Sequence, residues 1–346
     1  MRILHRLPPL HPASDSLALP PTDVARLKAA IAPLAELTDQ ALRQNLASHV
    51  PFIEEVGAYG IFSGGKRLRP VLFMLVARLL GREADPKYAA IFEYLHAATL
   101  LHDDVIDEAG LRRGRKAARK VYGNEAVILV GDFLFSKAYS LAVELSDQRF
   151  VAALARCTTT MAEGQVLELL ATGEWELAPQ RYLEVIVAKT AVLMAAACEM
   201  GAIFAGASQA VVDALYDYGL RLGVAFQLVD DALDYGGTQQ EFGKPVGHDL
   251  AEGKVTLPFI HVRDSSPPPV SRRLVELARR ADSEPEALAE ARRVVVEGGG
   301  VDYTLAVARS YTMSALEPLA ALEKELEPTA LELLKAIASY VVRRRS

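Results

Sequence analysis

The sequence predicts an all-α protein, folded as a single-domain helical bundle around a central apolar cavity. Three observations carry this. Alanine and leucine dominate a chain in which 51% of residues are hydrophobic. β-Branched alternation is scarce, so the composition favours helices over strands. Two apolar helical runs end in the same aspartate pattern more than a hundred residues apart, which suits a site built between facing helices of a bundle.

Residues 1–21 are Pro-rich and lack a continuous apolar core before a cleavage site, so they read as a flexible arm rather than a signal peptide. The helical domain is expected over 22–346. Thr22 or Asp23 can cap a first helix through Leu46, with a break or kink at Pro33. A short helix follows over Pro51–Tyr59. The turn Gly64-Gly65-Lys66-Arg67-Leu68-Arg69-Pro70 then feeds three cations into a helix, Pro70–Leu80, that is apolar nearly all round and should be buried.

Pro86 starts the helix that runs into Leu100-Leu101-His102-Asp103-Asp104-Val105-Ile106-Asp107. A polar loop with Arg112, Arg113, Arg115 and Lys116 comes next. Helices are expected over Asn124–Glu144, Gln148–Leu170 and, as one long element centred on Lys189-Thr190, Pro179–Ala205. Ala210–Asp234 delivers the second cluster, Phe226-Gln227-Leu228-Val229-Asp230-Asp231-Ala232-Leu233-Asp234. A glycine- and lysine-bearing loop contains Gly243-Lys244-Pro245-Val246-Gly247-His248-Asp249 and Gly253-Lys254. Ser265-Ser266-Pro267-Pro268-Pro269 reads as a linker or mobile loop. Amphipathic helices are expected near 270–281, 284–297, 300–325 and 328–343, and Arg343-Arg344-Arg345 reads as a solvated end.

The chemistry lies in the aspartates. Residues i and i+4 of a helix share a face, about 5–6 Å apart at Cβ. Asp103 and Asp107 therefore aim together, with Asp104 rotated by roughly 100°. Asp230, Asp231 and Asp234 repeat the spacing. One such cluster is an ordinary solvated helix end, but two with matched spacing point to cation sites. All-oxygen ligands suit Mg²⁺ bridging to phosphates. Around them stand Lys66, Arg67, Arg69, Arg112, Arg113, Lys189, Lys244 and Lys254, in or beside glycine turns or helix interiors. Carboxylates for metal plus separate cations imply two anionic groups, one held through Mg²⁺ and one directly by Arg and Lys. That layout fits prenyl transfer. Metal ions draw a diphosphate off an allylic carbon, and a dry bundle shelters the carbocation.

A formal net charge of -6, with both signs scattered, argues against nucleic acid. Cys157 and Cys198 have no metal-ligand spacing and read as core thiols, which suits a reducing cytoplasm. No run approaches ~18 consecutive apolar residues, so no transmembrane helix is expected.

These motifs resemble those of the trans-isoprenyl diphosphate synthases, or polyprenyl synthetases, from about residue 55 to 345. They are Gly-Gly-Lys-Arg-Leu-Arg-Pro at 64–70, the two aspartate runs, Arg-Arg-Gly at 112–114, Lys-Thr at 189–190 and Gly-Lys-Pro-Val-Gly-His-Asp-Leu at 243–250. The resemblance implies the isoprenoid synthase fold and about three Mg²⁺ ions on the six aspartates when diphosphate is bound. It implies Arg112, Lys189 and Lys244 on the allylic diphosphate, Lys66, Arg69, His96 and Arg113 around isopentenyl diphosphate, and Lys254 as a further substrate-binding cation. Thr190 and Gln227 become helpers near the reacting carbons, while Gln165 and Glu168 stand behind them. It also implies a homodimer, and a greasy product allows loose membrane association on release. Where the family often has Pro two residues after Arg-Arg-Gly, this chain has Arg115-Lys116. Ala98 and Thr99, one turn before Asp103, stand where short-chain members carry aromatic blocks, so a long-chain product of octaprenyl class is expected over farnesyl or geranylgeranyl diphosphate. A terpene cyclase would lack the second DDxxD and the Gly-Gly-Lys-Arg turn. A non-catalytic synthase subunit would lose one cluster.

Overall fold

The computed structural model describes residues 3–12, 19, 22–112, 114–236, 247–322 and 326–344. Asp23 caps α1 (Val24–Asn45), accepting from the backbone N–H groups of Ala25 and Arg26. Pro33 neither breaks nor ends this helix. It lies on the exposed face, so the Ala29 carbonyl that loses its intrahelical partner can turn to water. α2 (Pro51–Ile61) and α3 (Leu68–Leu79) follow, and α3 is buried from Pro70 to Leu79 except at Arg78.

α4 (Pro86–Ile106) carries the first aspartates, with Asp107 as its C-cap. The polar loop after it forms a two-stranded hairpin, β1 (Leu111–Arg112) against β2 (Arg115–Lys116). The Tyr59 hydroxyl donates to the Lys116 carbonyl, and the Arg115 guanidinium covers the Tyr59 ring. In place of proline, this cation–aromatic contact holds the loop. α5 (Ala118–Tyr122), α6 (Asn124–Glu144) and α7 (Gln148–Ala171) come next.

The long helix expected over Pro179–Ala205 is divided. α8 (Pro179–Ile186) passes through one π turn, Val187–Ala191, into α9 (Val192–Phe204). Two glycines make room for the wide turn. A Cβ on Gly164 would lie 2.6 Å from the Ala188 carbonyl carbon and the Lys189 nitrogen. One on Gly223 would lie 2.6 Å from the Ala191 Cα. Every residue of α9 is buried, which makes it the axis of the bundle. It packs on α3, α7 and α10 (Gln209–Gly236).

The C-terminal third covers α10. Helix Gly300–Leu322 runs along it, and helix Pro328–Val341 closes over α3. The Ser-Pro stretch is no linker. Helix Leu257–Ser265 turns at Ser266-Pro267 straight into helix Pro268–Ala278, because proline is at home in a first helical turn where its missing N–H costs nothing. At the N-terminus, Arg6 pairs with Asp217 at 3.0 Å, and the Tyr303 and Tyr311 hydroxyls donate to the carbonyls of Leu10 and Pro8. Cys157 and Cys198 are buried free thiols, and burial pushes both pKa values up.

Two helices are apolar and long enough to cross a membrane, 124–144 and 179–204. Polar residues such as Asp132 and Lys189 interrupt both, so neither stands out as an unbroken apolar run. Segment 179–204 is a core element, 89% buried, whereas 124–144 is 39% buried and has an open face.

Candidate active site

Both aspartate clusters sit at helix C-terminal ends, α4 and α10, where unpaired carbonyls already place partial negative charge. Burial raises the pKa of Asp103 and Asp230, at Asp230 against the pull of nearby cations, and lifts those of Asp231 and Asp234 further; neighbouring carboxylates add to the rise at Asp103, Asp231 and Asp234. Such groups need cations.

Each aspartate meets a protein donor. Asp103 lies 3.7 Å from Lys189 Nζ. Asp104, nearly buried, accepts from Arg112 at 2.6–2.7 Å. Asp107 lies 3.4 Å from Lys254 Nζ. Asp230 pairs with Arg344 at 2.8 Å. Asp231 accepts from the Tyr182 hydroxyl at 2.5 Å and from Gln227 Nε2 at 2.7 Å. Asp234 accepts from the backbone N–H groups of His248 and Asp249 at 3.2 Å. Among the described residues no three carboxylates close on one point, because like charges relieve their repulsion by turning onto these donors.

A continuous chain joins the clusters. Lys189 in the π turn touches Asp103 and forms a short ion pair with Glu168 of α7. The next residue, Thr190, shares a 3.0 Å hydrogen bond with Gln227, which reaches Asp231. Lys254, beyond the second cluster, returns to the first through Asp107. The π turn sets two successive side chains into the space between α7 and α10, as such turns often do at functional sites. A cavity of ≈ 170 Å³ opens here, lined by Glu168, Lys189, Thr190, Gln227, Asp231 and Lys254 among others.

The glycine-turn cations lie beside the second cluster. Lys66 is exposed, 5.6 Å from the Tyr340 ring centroid, and Arg69 is half-buried in the first turn of α3. Both pull the Asp230 carboxyl pKa back down, against burial. His96 is half-buried on α4. Arg113 and Lys244 lie outside the described residues. His102 turns away from Asp103, Asp104 and Asp107, stacking on Phe135 and reaching the Ile128 carbonyl at 3.2 Å. Arg67 also faces away from the site, onto Asp39 and Glu93.

Three site residues escaped the sequence reading. Tyr182 and Asp249 are brought in by tertiary contact alone, although Asp249 stood in the quoted Gly-His-Asp motif. Arg344 corrects the reading of a solvated tail. Its side chain is 5% exposed, pairs with Asp230 and lies 3.8 Å over the Phe226 ring.

Ala98 is fully buried, and Thr99 is half-buried with its hydroxyl on the His96 carbonyl. Further down α4, Leu95 and Phe92 are fully buried. Phe92 packs on Phe73, and Phe150, Phe204 and Tyr88 complete an aromatic cluster with ring centroids 5.4–6.2 Å apart.

An all-α bundle with twin aspartate clusters joined by a lysine, and with separate cations beside them, defines the class of helical synthases that transfer prenyl groups. The sequence model of the polyprenyl synthetase family matches residues 50–295. Octaprenyl diphosphate synthase of Haemophilus influenzae is 40% identical over 293 residues, 83% of this chain and 88% of that protein. A crystal structure of polyprenyl synthase from Caulobacter crescentus, complexed with calcium and isoprenyl diphosphate, superposes with a TM-score of 0.88 at 39% identity, covering 95% of this chain and 100% of that one. A decaprenyl diphosphate synthase from Rhodobacter capsulatus superposes at 0.85 with 38% identity, covering 93% and 99%. The chain belongs to the polyprenyl synthetase family, and it is a prenyltransferase enzyme.

Proposed function

We propose that the enzyme condenses an allylic prenyl diphosphate with successive isopentenyl diphosphate units and releases a long-chain polyprenyl diphosphate of octaprenyl class. The observation that carries the reaction is the link from Asp103 through Lys189, Thr190 and Gln227 to Asp231. It puts both clusters and a lysine at the mouth of one apolar bundle.

The donor set fits Mg²⁺. Six carboxylates, four of them held at raised pKa by burial, offer hard oxygen ligands at negatively polarised helix ends. Calcium in the Caulobacter crescentus structure supports a divalent cation here. When bound, Mg²⁺ supplies Lewis acidity toward the leaving diphosphate. The protein does the rest. Lys189, Arg112 and Lys254, which now rest on aspartates, can move onto diphosphate oxygens. Lys66 and Arg69 hold the second diphosphate on the far side of Asp230, with His96 near it. Thr190 and Gln227 present oxygens toward developing positive charge, and the packed helices exclude water.

Product length follows from what lies below. The small Ala98 side chain lies about one turn under Asp103; Tyr94 turns off α4 onto the Leu42 carbonyl, and the next aromatic ring down the helix is Phe92. Eleven residues of helix place that ring about 17 Å below the cluster. The aromatic cluster around Phe73 and Phe92 then forms the floor. Incubation with labelled isopentenyl diphosphate, an allylic primer and Mg²⁺, followed by product chromatography, tests this. Ala98→Tyr is expected to shorten the product while primer ionisation continues. An unaltered enzyme that stops at farnesyl or geranylgeranyl diphosphate overturns the proposal, as does a long product unchanged by Ala98→Tyr.

A homodimer in the cytoplasm completes the reading. α6 exposes Ile128, Leu129 and Val143, and Leu129 is 67% exposed. Val166, Leu169 and Leu170 of α7, the next helix in the chain, are exposed apolar residues as well. A second copy is the occupant proposed to cover these residues, and buried free thiols suit a reducing compartment. Light scattering should give a dimer mass that Leu129→Glu lowers to a monomer. A monomer mass for the unaltered chain refutes the assembly.

A further inference from the structure

Arg67 stands in sequence between Lys66 and Arg69 yet points the opposite way. It is 6% exposed. All three guanidinium nitrogens are used inside the protein: Nε on Asp39 at 2.7 Å, Nη1 on Glu93 at 2.7 Å and Nη2 on the Ile61 carbonyl at 2.9 Å. The partners lie on α1, on α4 and at the end of α2. The backbone of Arg67 is in the left-handed region, φ 49°, directly before α3 and just after Gly64 and Gly65, whose φ angles are also positive. A non-glycine residue keeps that conformation only when its surroundings over-determine it. Here the fork of hydrogen bonds does so. Glu93 is also three residues before His96, on one face of α4, and about three turns before Asp103.

We infer that Arg67 is a positioning residue for isopentenyl diphosphate capture: its guanidinium clamps the loop bearing Lys66 and Arg69 to the aspartate helix α4, without touching the diphosphate itself. The inference rests on the reading that Lys66 and Arg69 bind that diphosphate. A lysine at 67 keeps the charge but cannot serve three partners in a plane. Glu93, only 5% exposed, belongs to the same clamp. It also separates two explanations. Removing its negative charge should strengthen diphosphate binding if charge alone matters, and weaken it if the clamp matters.

The test is steady-state kinetics with isopentenyl diphosphate and the allylic primer varied separately, on Glu93→Gln, Arg67→Lys and Asp39→Asn, with Lys66→Ala as reference and thermal melts alongside. Glu93→Gln and Arg67→Lys should raise KM for isopentenyl diphosphate about tenfold or more with the primer KM unchanged, since ångström-scale misplacement has effects of this order. Asp39→Asn, on a half-exposed carboxylate, should raise the same KM less and keeps the test alive if the buried variants do not fold. A lowered or unchanged isopentenyl diphosphate KM in Glu93→Gln, or in Asp39→Asn should that variant have to decide alone, overturns the clamp while Lys66→Ala still raises it. Equal rises in both KM values with a falling Tm also overturn it. If Lys66→Ala leaves the KM unaltered, the underlying assignment of the loop fails instead.

Discussion

Asp103→Ala and Asp230→Ala should each lower turnover by roughly 10²–10³ or more, the scale of losing several kcal/mol of charge stabilisation at a metal-assisted leaving group. The two sites sit on different helices, so equal dependence on both is the signature of a shared diphosphate rather than one metal site and one solvated helix end. The alanine variants carry a side effect at position 230. Arg344 is buried against Asp230, and removing its partner strands a cation. Asp230→Asn retains a hydrogen-bond acceptor for Arg344 and loses only the charge. Turnover should therefore fall in Asp230→Asn almost as far as in Asp230→Ala, with circular dichroism and melting close to the unaltered enzyme. Near-normal turnover in Asp103→Ala or Asp230→Asn, with Mg²⁺ saturating, would remove the paired-cluster mechanism.

Gly164→Ala and Gly223→Ala should be the most damaging substitutions outside the charged residues. Each added methyl would meet backbone at 2.6 Å, on opposite sides of the π turn Val187–Ala191. Backbone held in a helix cannot give way as a side-chain tip can, so α7 or α10 must move off the turn. Overpacking of this kind costs about 1–3 kcal/mol. The displaced turn carries Lys189 away from Asp103 and Thr190 away from Gln227, so turnover should fall ~100-fold, beyond what the stability loss explains. Gly110, with open space around its Cβ direction and ordinary backbone angles, serves as the control: Gly110→Ala should be near neutral. Turnover within a few-fold of the unaltered enzyme for both helix glycines would show that seating of the π turn does not limit catalysis.

Much of the candidate site was legible because its chemistry is local. The i, i+1, i+4 aspartates announce themselves on any helix, and the end of α4 at Asp107 and the course of α10 past Asp234 follow from apolar runs meeting charge. Asp23 as a cap and the burial of α3 followed from a short polar residue ahead of a helix and from a helix apolar nearly all round. Boundaries went wrong where proline was read by habit. Pro33 sits inside a continuous helix because its lost bond faces water, and the Ser-Pro run at 265–269 is a corner whose prolines start a helix.

What the sequence by itself determined is the helical class, the two carboxylate clusters and the set of cations that implies two diphosphates, since each depends on residue type and short spacing. Only the tertiary structure decided which cation serves which carboxylate. Arg67 and Arg69 are two residues apart, yet a left-handed backbone at Arg67 turns one into the α1–α4 interface and leaves the other beside Asp230. Arg344 joins Asp230 across more than a hundred residues, and Tyr182 reaches Asp231 from another helix. The π turn that aims Lys189 has no mark in its own residues. It exists because Gly164 and Gly223, on two other helices, leave the volume for it. Direction and enclosure come from packing between elements distant in the chain, and no local pattern encodes them.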